Sequence, residues 1–354
     1  MVIGVAACGM ALASIPWRIL GASPSAEVAW SEVLRLDAGP QVGGGASVGG
    51  AAGPRTREAE AAHLVAQEKA LRIFLELPGG EARGFEAKFR LARVLSLRAE
   101  VEGKVELQVQ AEALLEALDL RASPEQKAHI AFTRVVRLMR KNRLPNQEQR
   151  VELLTAARDF RTRFPTDPRA GRLLVEVATQ FDRDPGVKRS VLQEAERIVK
   201  EPQLVMRIRD DLRKVDLVGK RLEMRLPVLG EGGVQFEKLR GRPVVLFYFS
   251  ENSTPSLVAW DVLNEGLKSH PEVQRIGVSL DKDRAALERV RKSHGEGWIL
   301  SWDGLGWESP SARQCGINAL PTAWLVDSLG RLMSLNVLED LAGQLARVEG
   351  GVPQ

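Results

Sequence analysis

The sequence predicts a multidomain α and α/β chain, all-α over residues 57–216 and α/β over 217–354. Three observations carry this. From about 57 to 215 the apolar residues recur at helical spacing, with repeated helix-start signals. After Val218-Gly219-Lys220 short apolar runs alternate with helical stretches. Ahead of both, residues 38–54 are so rich in Gly and Ala that they lack the apolar bulk to pack. With 354 residues, the chain has room for two separate cores.

Within 85–95, Phe85, Phe89, Ala92 and Leu95 fall on one helical face. Ser123-Pro124-Glu125-Gln126 combines a Ser cap, Pro at the first helical position and Gln at the capping-box position. Asp167-Pro168 and Asp184-Pro185 are further starts. Phe164-Pro165-Thr166-Asp167-Pro168-Arg169-Ala170, with Leu173, Leu174 and Ala178 beyond it, resembles the junction between tetratricopeptide-like repeats. That resemblance implies a solenoid-like helical repeat domain with a partner-binding face, a plain bundle or spacer being the alternative.

In the α/β part, Arg221 to Leu226 and Gly233 to Phe236 form an expected hairpin. Val244 to Phe249 is a continuous apolar run of the kind buried on both faces of a sheet. A helix over Val258 to Leu267, a strand over Arg275 to Leu280 and a helix over Asp283 to Ser293 follow. A hairpin (Thr322 to Asp327, Arg331 to Leu335) and a helix (Leu338 to Val348) close the order.

Residues 1–30 begin with a run from Met1 to Trp17 that carries no charged side chain, and the first basic residue is Arg18. Its length suits an export signal, although no basic residue precedes the apolar stretch. Val5-Ala6-Ala7-Cys8 resembles the box at which bacterial lipoproteins are cleaved and lipidated, which makes Cys8 a lipidation candidate. An acylated Cys8 would anchor the chain to a membrane face. Residues 31–56 are expected as a flexible linker. Export to the periplasm or anchoring in the envelope is the favoured placement, with a cytoplasmic one left open.

Composition excludes several functions. A net charge of +4 from 50 basic and 46 acidic residues gives no nucleic-acid signature. Two cysteines, Cys8 and Cys315, build no disulfide scaffold, and His63, His129, His270 and His294 lack ligand spacing. No metal and no cofactor are expected.

The segment from Val244 to Ser256 resembles, without a gap, the strand and active-site turn of the TlpA/ResA-type thioredoxin-like oxidoreductases. Ser253-Thr254-Pro255-Ser256 stands in their Cys-x-x-Cys box. Gly316 to Thr322 resembles the family's cis-proline loop, and Trp302-Asp303-Gly304-Leu305-Gly306-Trp307 a stretch common in bacterial members. The resemblance spans 217–345 and implies a three-layer α/β/α thioredoxin-like domain.

The departures bear on function. In redox members the first cysteine, at a helix N-terminus, attacks a disulfide as a thiolate and the second resolves the mixed disulfide. A serine hydroxyl neither ionises at neutral pH nor forms a reversible link to sulfur. Phe247 occupies the place of the buried Asp that handles the second cysteine's proton in many members. Serine hydrolase chemistry lacks an evident base, so Ser253 is read as a helix cap and Ser256 as a first-turn residue. Cys315 is the one remaining thiol here, read as a buried small residue with a lone reactive thiol as the alternative.

The resemblance implies that the backbone beside Pro321 pairs with an extended peptide. Leu320, Pro321, Thr322, Asn252 and Glu251 are therefore the candidate binding residues. Tyr248, Phe249, Trp302 and Trp307 either add an apolar rim or belong to the core. The expectation is a redox-inactive peptide- or protein-binding or scaffold module at the bacterial cell envelope. The alternative is a thiol-disulfide or peroxide-reactive protein using Cys315.

Overall fold

A computed structural model describes residues 25–38, 56–141, 145–228 and 232–349, and the chain divides into two compact units, 1–141 and 142–354. Cys8 and the Gly/Ala-rich stretch from 39 to 55 lie outside the described residues.

The first unit is helical: α1 (Ala26–Asp37), α2 (Arg57–Glu76), α3 (Gly84–Glu102), α4 (Val105–Asp119) and α5 (Pro124–Lys141). Neighbours in sequence pack on one another. Helix α1 runs into the stretch expected as linker from residue 31. Ser25 caps it, and Trp30 and Val33 bury one face, Trp30 lying 4.8 Å from Phe74 of α2. Apolar residues at helical spacing outweigh the small residues that begin only at Ala38. Ser123 and Gln126 exchange the two capping-box hydrogen bonds at the start of α5, at 2.9 and 3.3 Å.

The second unit opens with α6 (Gln147–Arg163), α7 (Arg169–Ala178), α8 (Pro185–Glu196) and α9 (Pro202–Leu217). Element type changes after Leu217, but these four helices belong to the same compact unit as the sheet. Asp184 caps α8 through the Val187 N–H at 3.0 Å. Beyond α9 come β1 (Arg225–Pro227) and β2 (Gly233–Gln235), an antiparallel pair. There follow β3 (Val244–Phe249), α10 (Thr254–Gly266), β4 (Gln274–Ser279), α11 (Arg284–Ser293), β5 (Ile299–Ser301) and α12 (Pro310–Cys315). The chain finishes with β6 (Thr322–Val326), β7 (Leu332–Ser334) and α13 (Leu341–Glu349).

The main sheet has the order β5-β4-β3-β6-β7, with β3 parallel to β4 and antiparallel to β6. Every residue of β3 is buried, which explains its unbroken apolar run. Val245, Phe247 and Phe249 pack with Trp260 and Leu263 of α10, Val290 of α11 and Leu345 of α13. On the other face Tyr248 meets Trp324 edge to face at 6.2 Å, and α12 covers them. Right-handed parallel crossovers put α10 and α11 on one face. The result is the three-layer thioredoxin-like fold. Strand β5 and helix α12 are not legible in the sequence, being three and six residues long. At Gly316 the chain turns with φ +69°, and a Cβ there would run into the Asp210 carbonyl of α9.

Candidate functional site

The turn after β3 carries Ser253-Thr254-Pro255-Ser256. Ser253 is the N-cap of α10, its hydroxyl accepting the Ser256 N–H at 3.3 Å. Thr254 and Pro255 are exposed, whereas Ser256 is fully buried and its hydroxyl has no partner among the described residues. Among the described residues neither serine is bonded to a histidine: His294 meets Ser293 and Asp261, and His270 meets Glu272. The Ser253 oxygen accepts a backbone N–H, the geometry of a helix cap.

A buried carboxylate that sequence reasoning missed holds this turn. Asp281, just beyond β4, accepts the Ser250 hydroxyl at 2.5 Å, the Glu251 N–H at 2.9 Å and the Ser279 hydroxyl at 2.9 Å. Its own carbonyl accepts the Trp302 indole N–H at 2.6 Å. Glu251 is turned to α11, where Arg289 binds it through two nitrogens at 2.5 and 2.7 Å. Those hydrogen bonds hold the Glu251 carboxyl below the usual range. The two serines thus sit on a turn anchored from β4 and α11.

Phe247 is fully buried, 5.3 Å from Trp260 edge to face and 5.8 Å from Phe249. At the position where the resemblance implied a proton-handling carboxylate, the side chain belongs to an aromatic cluster. Tyr248 and Phe249 are core residues as well, so of the suggested apolar rim only Trp302, half-buried, and Trp307, exposed, reach the surface.

Cys315 ends α12 under the sheet and exposes no surface. A recess of about 220 Å³ lined by Leu217, Leu222, Met224 and Gln314 reaches it without exposing it. Burial pushes its thiol up to about 11, against a smaller opposing effect of the Tyr248 hydroxyl. At pH 7 the thiolate fraction is therefore on the order of 10⁻⁴. In a Cys8→Ser chain, Cys315 is expected to react with Ellman's reagent more than about 100-fold faster after unfolding in urea than in the native state. Comparable rates in the two states would mean that the thiol is accessible.

The Leu320–Pro321 peptide is cis. Tyr248 pairs with Thr322, so the turn with Ser253 and Ser256 leaves β3 at the same edge of the sheet where Pro321 enters β6. Pro321 and Thr322 border a cleft of about 510 Å³ whose opposite wall is helical, with Thr179, Lys188 and Arg207 among its residues. Helix α9 clamps the loop before Pro321: Lys214 donates to the Asn318 side-chain oxygen at 2.7 Å, and the Asn318 amide donates to Asp211 at 3.0 Å. Lys214 also pairs with Asp211 at 2.6 Å, and Lys188 with Asp182.

These charges lie below the surface, Lys188 and Asp211 each being 5% exposed. Burial pushes the Lys214 ammonium down, with Asp211 opposing. For Asp211 burial pushes upward, but Lys214, Lys188 and Asn318 together hold the carboxyl below its usual range.

Of the expected binding residues the structure brings Pro321 and Thr322 to one cleft. Leu320 is half-buried beside it, Asn252 is exposed on the turn, and Glu251 is engaged with Arg289. Lys188, Asp211, Lys214 and Asn318 were not foreseen. Their signal is a charge on a buried helix face, since Asp211 follows Ile208 and precedes Val215 at the spacing of the apolar stripe. Among the described residues no group of His, Cys, Asp and Glu is arranged to hold a metal, and no helix is long and apolar enough to cross a membrane.

No protein-family model matches the chain, and no curated protein matches it either. Solved structures do match its C-terminal part. The C-terminal domain of a putative thiol-disulfide oxidoreductase from Bacteroides thetaiotaomicron is 19% identical over 38% of this chain and 97% of that one, with a TM-score of 0.36. A thiol-disulfide oxidoreductase from Bacteroides fragilis is 26% identical over 36% and 97%, with a TM-score of 0.32. A putative thiol:disulfide interchange protein DsbE from Chlorobium tepidum is 18% identical over 37% and 96%, with a TM-score of 0.33. The fold assignment rests on strand order and register.

Proposed function

We propose that this chain is a redox-inactive thioredoxin-like protein that binds an extended peptide or protein segment at the surface beside Pro321. A repeat-like helical half would supply a second partner-binding face. The observation that carries the reading is the state of the two box positions. Ser253 spends its hydroxyl on the α10 cap, Ser256 is sealed in, and Phe247 fills the proton-handling position with an aromatic ring. A thiol route through Cys315 is disfavoured by its burial and raised pKa.

Placement at the cell envelope is part of the same proposal. Its support is the uncharged apolar run from Met1 to Trp17 and the Gly/Ala-rich stretch that follows, with Cys8 as the lipidation candidate. One of the matching solved structures is described as a secreted disulfide oxidoreductase, which is a statement about that protein.

Insulin disulfide reduction tests the redox half. The native chain is expected to be inert, and a Ser253→Cys/Ser256→Cys variant to gain measurable though slow activity, because α10 keeps its N-terminal dipole while Phe247 supplies no proton relay. A native chain that reduces insulin, and stops on Cys315→Ser, would overturn the proposal.

A further inference from the structure

The cleft beside Pro321 has a donor-rich lining. Three cationic side chains, Lys188, Arg207 and Lys214, border it with two carboxylates, Asp182 and Asp211. Arg207 is paired with Glu176 at 2.6 Å. Each lysine ammonium has three N–H groups. Lys188 uses one on Asp182, and Lys214 uses two on Asp211 and Asn318. Both therefore keep donors without a partner among the described residues, although Lys188 is 5% and Lys214 9% exposed. Trp324, which also lines the cleft, is fully buried and its indole N–H has no partner either. Buried polar groups are ordinarily satisfied, and these three side chains of one cleft keep unused donors.

The sheet adds a main-chain edge to the same place. Strand β7 reaches only Leu325 and Val326 of β6, so Thr322, Ala323 and Trp324 have no strand partner on that side. The Asp327 N–H points toward β7, donating to Arg331 at 2.9 Å. By the two-residue repeat of a strand, the Ala323 N–H and carbonyl point the same way. Ala323 lines the cleft.

We propose that this cleft binds a carboxylate, taken by Lys188 and Lys214 at the indole end of Trp324, in the form of the C-terminus of an extended peptide laid along Thr322 to Trp324. The inference rests on the peptide-binding reading above and names its ligand chemistry. Asp182 pairs with Lys188 and Asp211 with Lys214, and each ammonium retains the donors that a further acceptor needs. Asn318 and Thr179 add polar groups to the lining, and Pro321, Leu335 and Leu338 add apolar ones. A lining that combines charged and apolar groups suits a peptide terminus.

The test titrates the full chain with an N-acetylated alanine-valine pentapeptide bearing a free C-terminus, with its C-terminal amide, and with acetate. Affinity is read by calorimetry, and the Trp324 indole N–H by nitrogen-15 NMR. The free acid is expected to bind at least about tenfold more tightly than the amide and to shift the Trp324 signal. Lys188→Met or Lys214→Met should reduce the acid to the affinity of the amide. Acetate moving the same signal at millimolar concentration would identify the carboxylate alone as sufficient. A shift with the peptide acid only would show that the β6 edge contributes. Either result supports the proposal. Equal binding of acid and amide, or no Trp324 shift with any of the three, overturns it, and neither comparison depends on a variant folding. Equal binding would leave the peptide-binding reading standing. Insulin reduction by the native chain would sink the redox-inactive reading without touching the carboxylate.

Discussion

An aspartate at position 247, the residue type that the resemblance implies for many thioredoxins there, is expected to cost this protein more than about 5 kcal/mol, enough to unfold a domain of ordinary stability. Phe247 exposes no surface, and its ring packs on Trp260, Phe249 and Trp298. Truncating such a ring alone costs roughly 3–5 kcal/mol. An ionised carboxylate in the same place adds several more unless a donor meets it. The Trp260 indole N–H, buried and without a partner among the described residues, is a donor available in the cluster. One hydrogen bond returns about 1–3 kcal/mol, so it does not restore the balance. Burial would raise the folded-state pKa of Asp at 247 above its unfolded value. The variant would then be least impaired below about pH 4 and would lose stability as pH rises through that raised pKa. Urea midpoints of native, Phe247→Leu and Phe247→Asp chains at pH 4 and 7 decide the matter. A loss below about 2 kcal/mol at pH 7, or one independent of pH, would mean that the aromatic cluster hosts the charge after all.

Asp211→Ala is the second large effect, at about 3–5 kcal/mol, because it strands a buried ammonium. Lys214 would keep only Asn318, and Asn318 would lose its tie to the α9 carboxylate. The pH dependence has a definite sign. In the native chain the Asp211 carboxyl is held below its ordinary value, so its contribution is present above about pH 4 and is lost as pH falls through the folded pKa. The Lys214 ammonium is already held down by burial. Removing Asp211 lowers it further, so the unfolded chain binds more protons and the variant regains stability as pH rises toward about 10. The gap between native and variant should therefore narrow from pH 7 to pH 10. A gap that stays constant would show that Lys214 is solvated, and the clamp on the cis-proline loop would then be incidental. An Asp211→Leu/Lys214→Met double variant should fall closer to the native chain than either single change, since it removes both charges together.

These expectations differ in how far the sequence alone supports them. The β3 run was readable because six consecutive apolar residues leave no solvent face, and the structure buries all six. The cap on α10 was readable because Ser followed by Pro and a second Ser is local chemistry. Helix α1 was hidden because only its own short amphipathic stretch, with Trp30 and Val33, competes with the small residues after it. Strand β5 was hidden because three residues carry no period, and its partner β4 lies more than twenty residues away.

The sequence by itself determined that no Cys-x-x-Cys pair is present and that a thioredoxin-like order of strands and helices follows an all-helical stretch. Both depend on residue identity and on spacing within a few positions. The tertiary structure alone decided where the polar groups converge. Asp281 reaches the turn that holds Ser253 from just beyond β4, and Asp211 and Lys214 reach the cis-proline loop from a helix more than a hundred residues upstream. Such partners are set by packing, since a buried charge is tolerated only where its complement happens to be brought, and no local pattern encodes that distance.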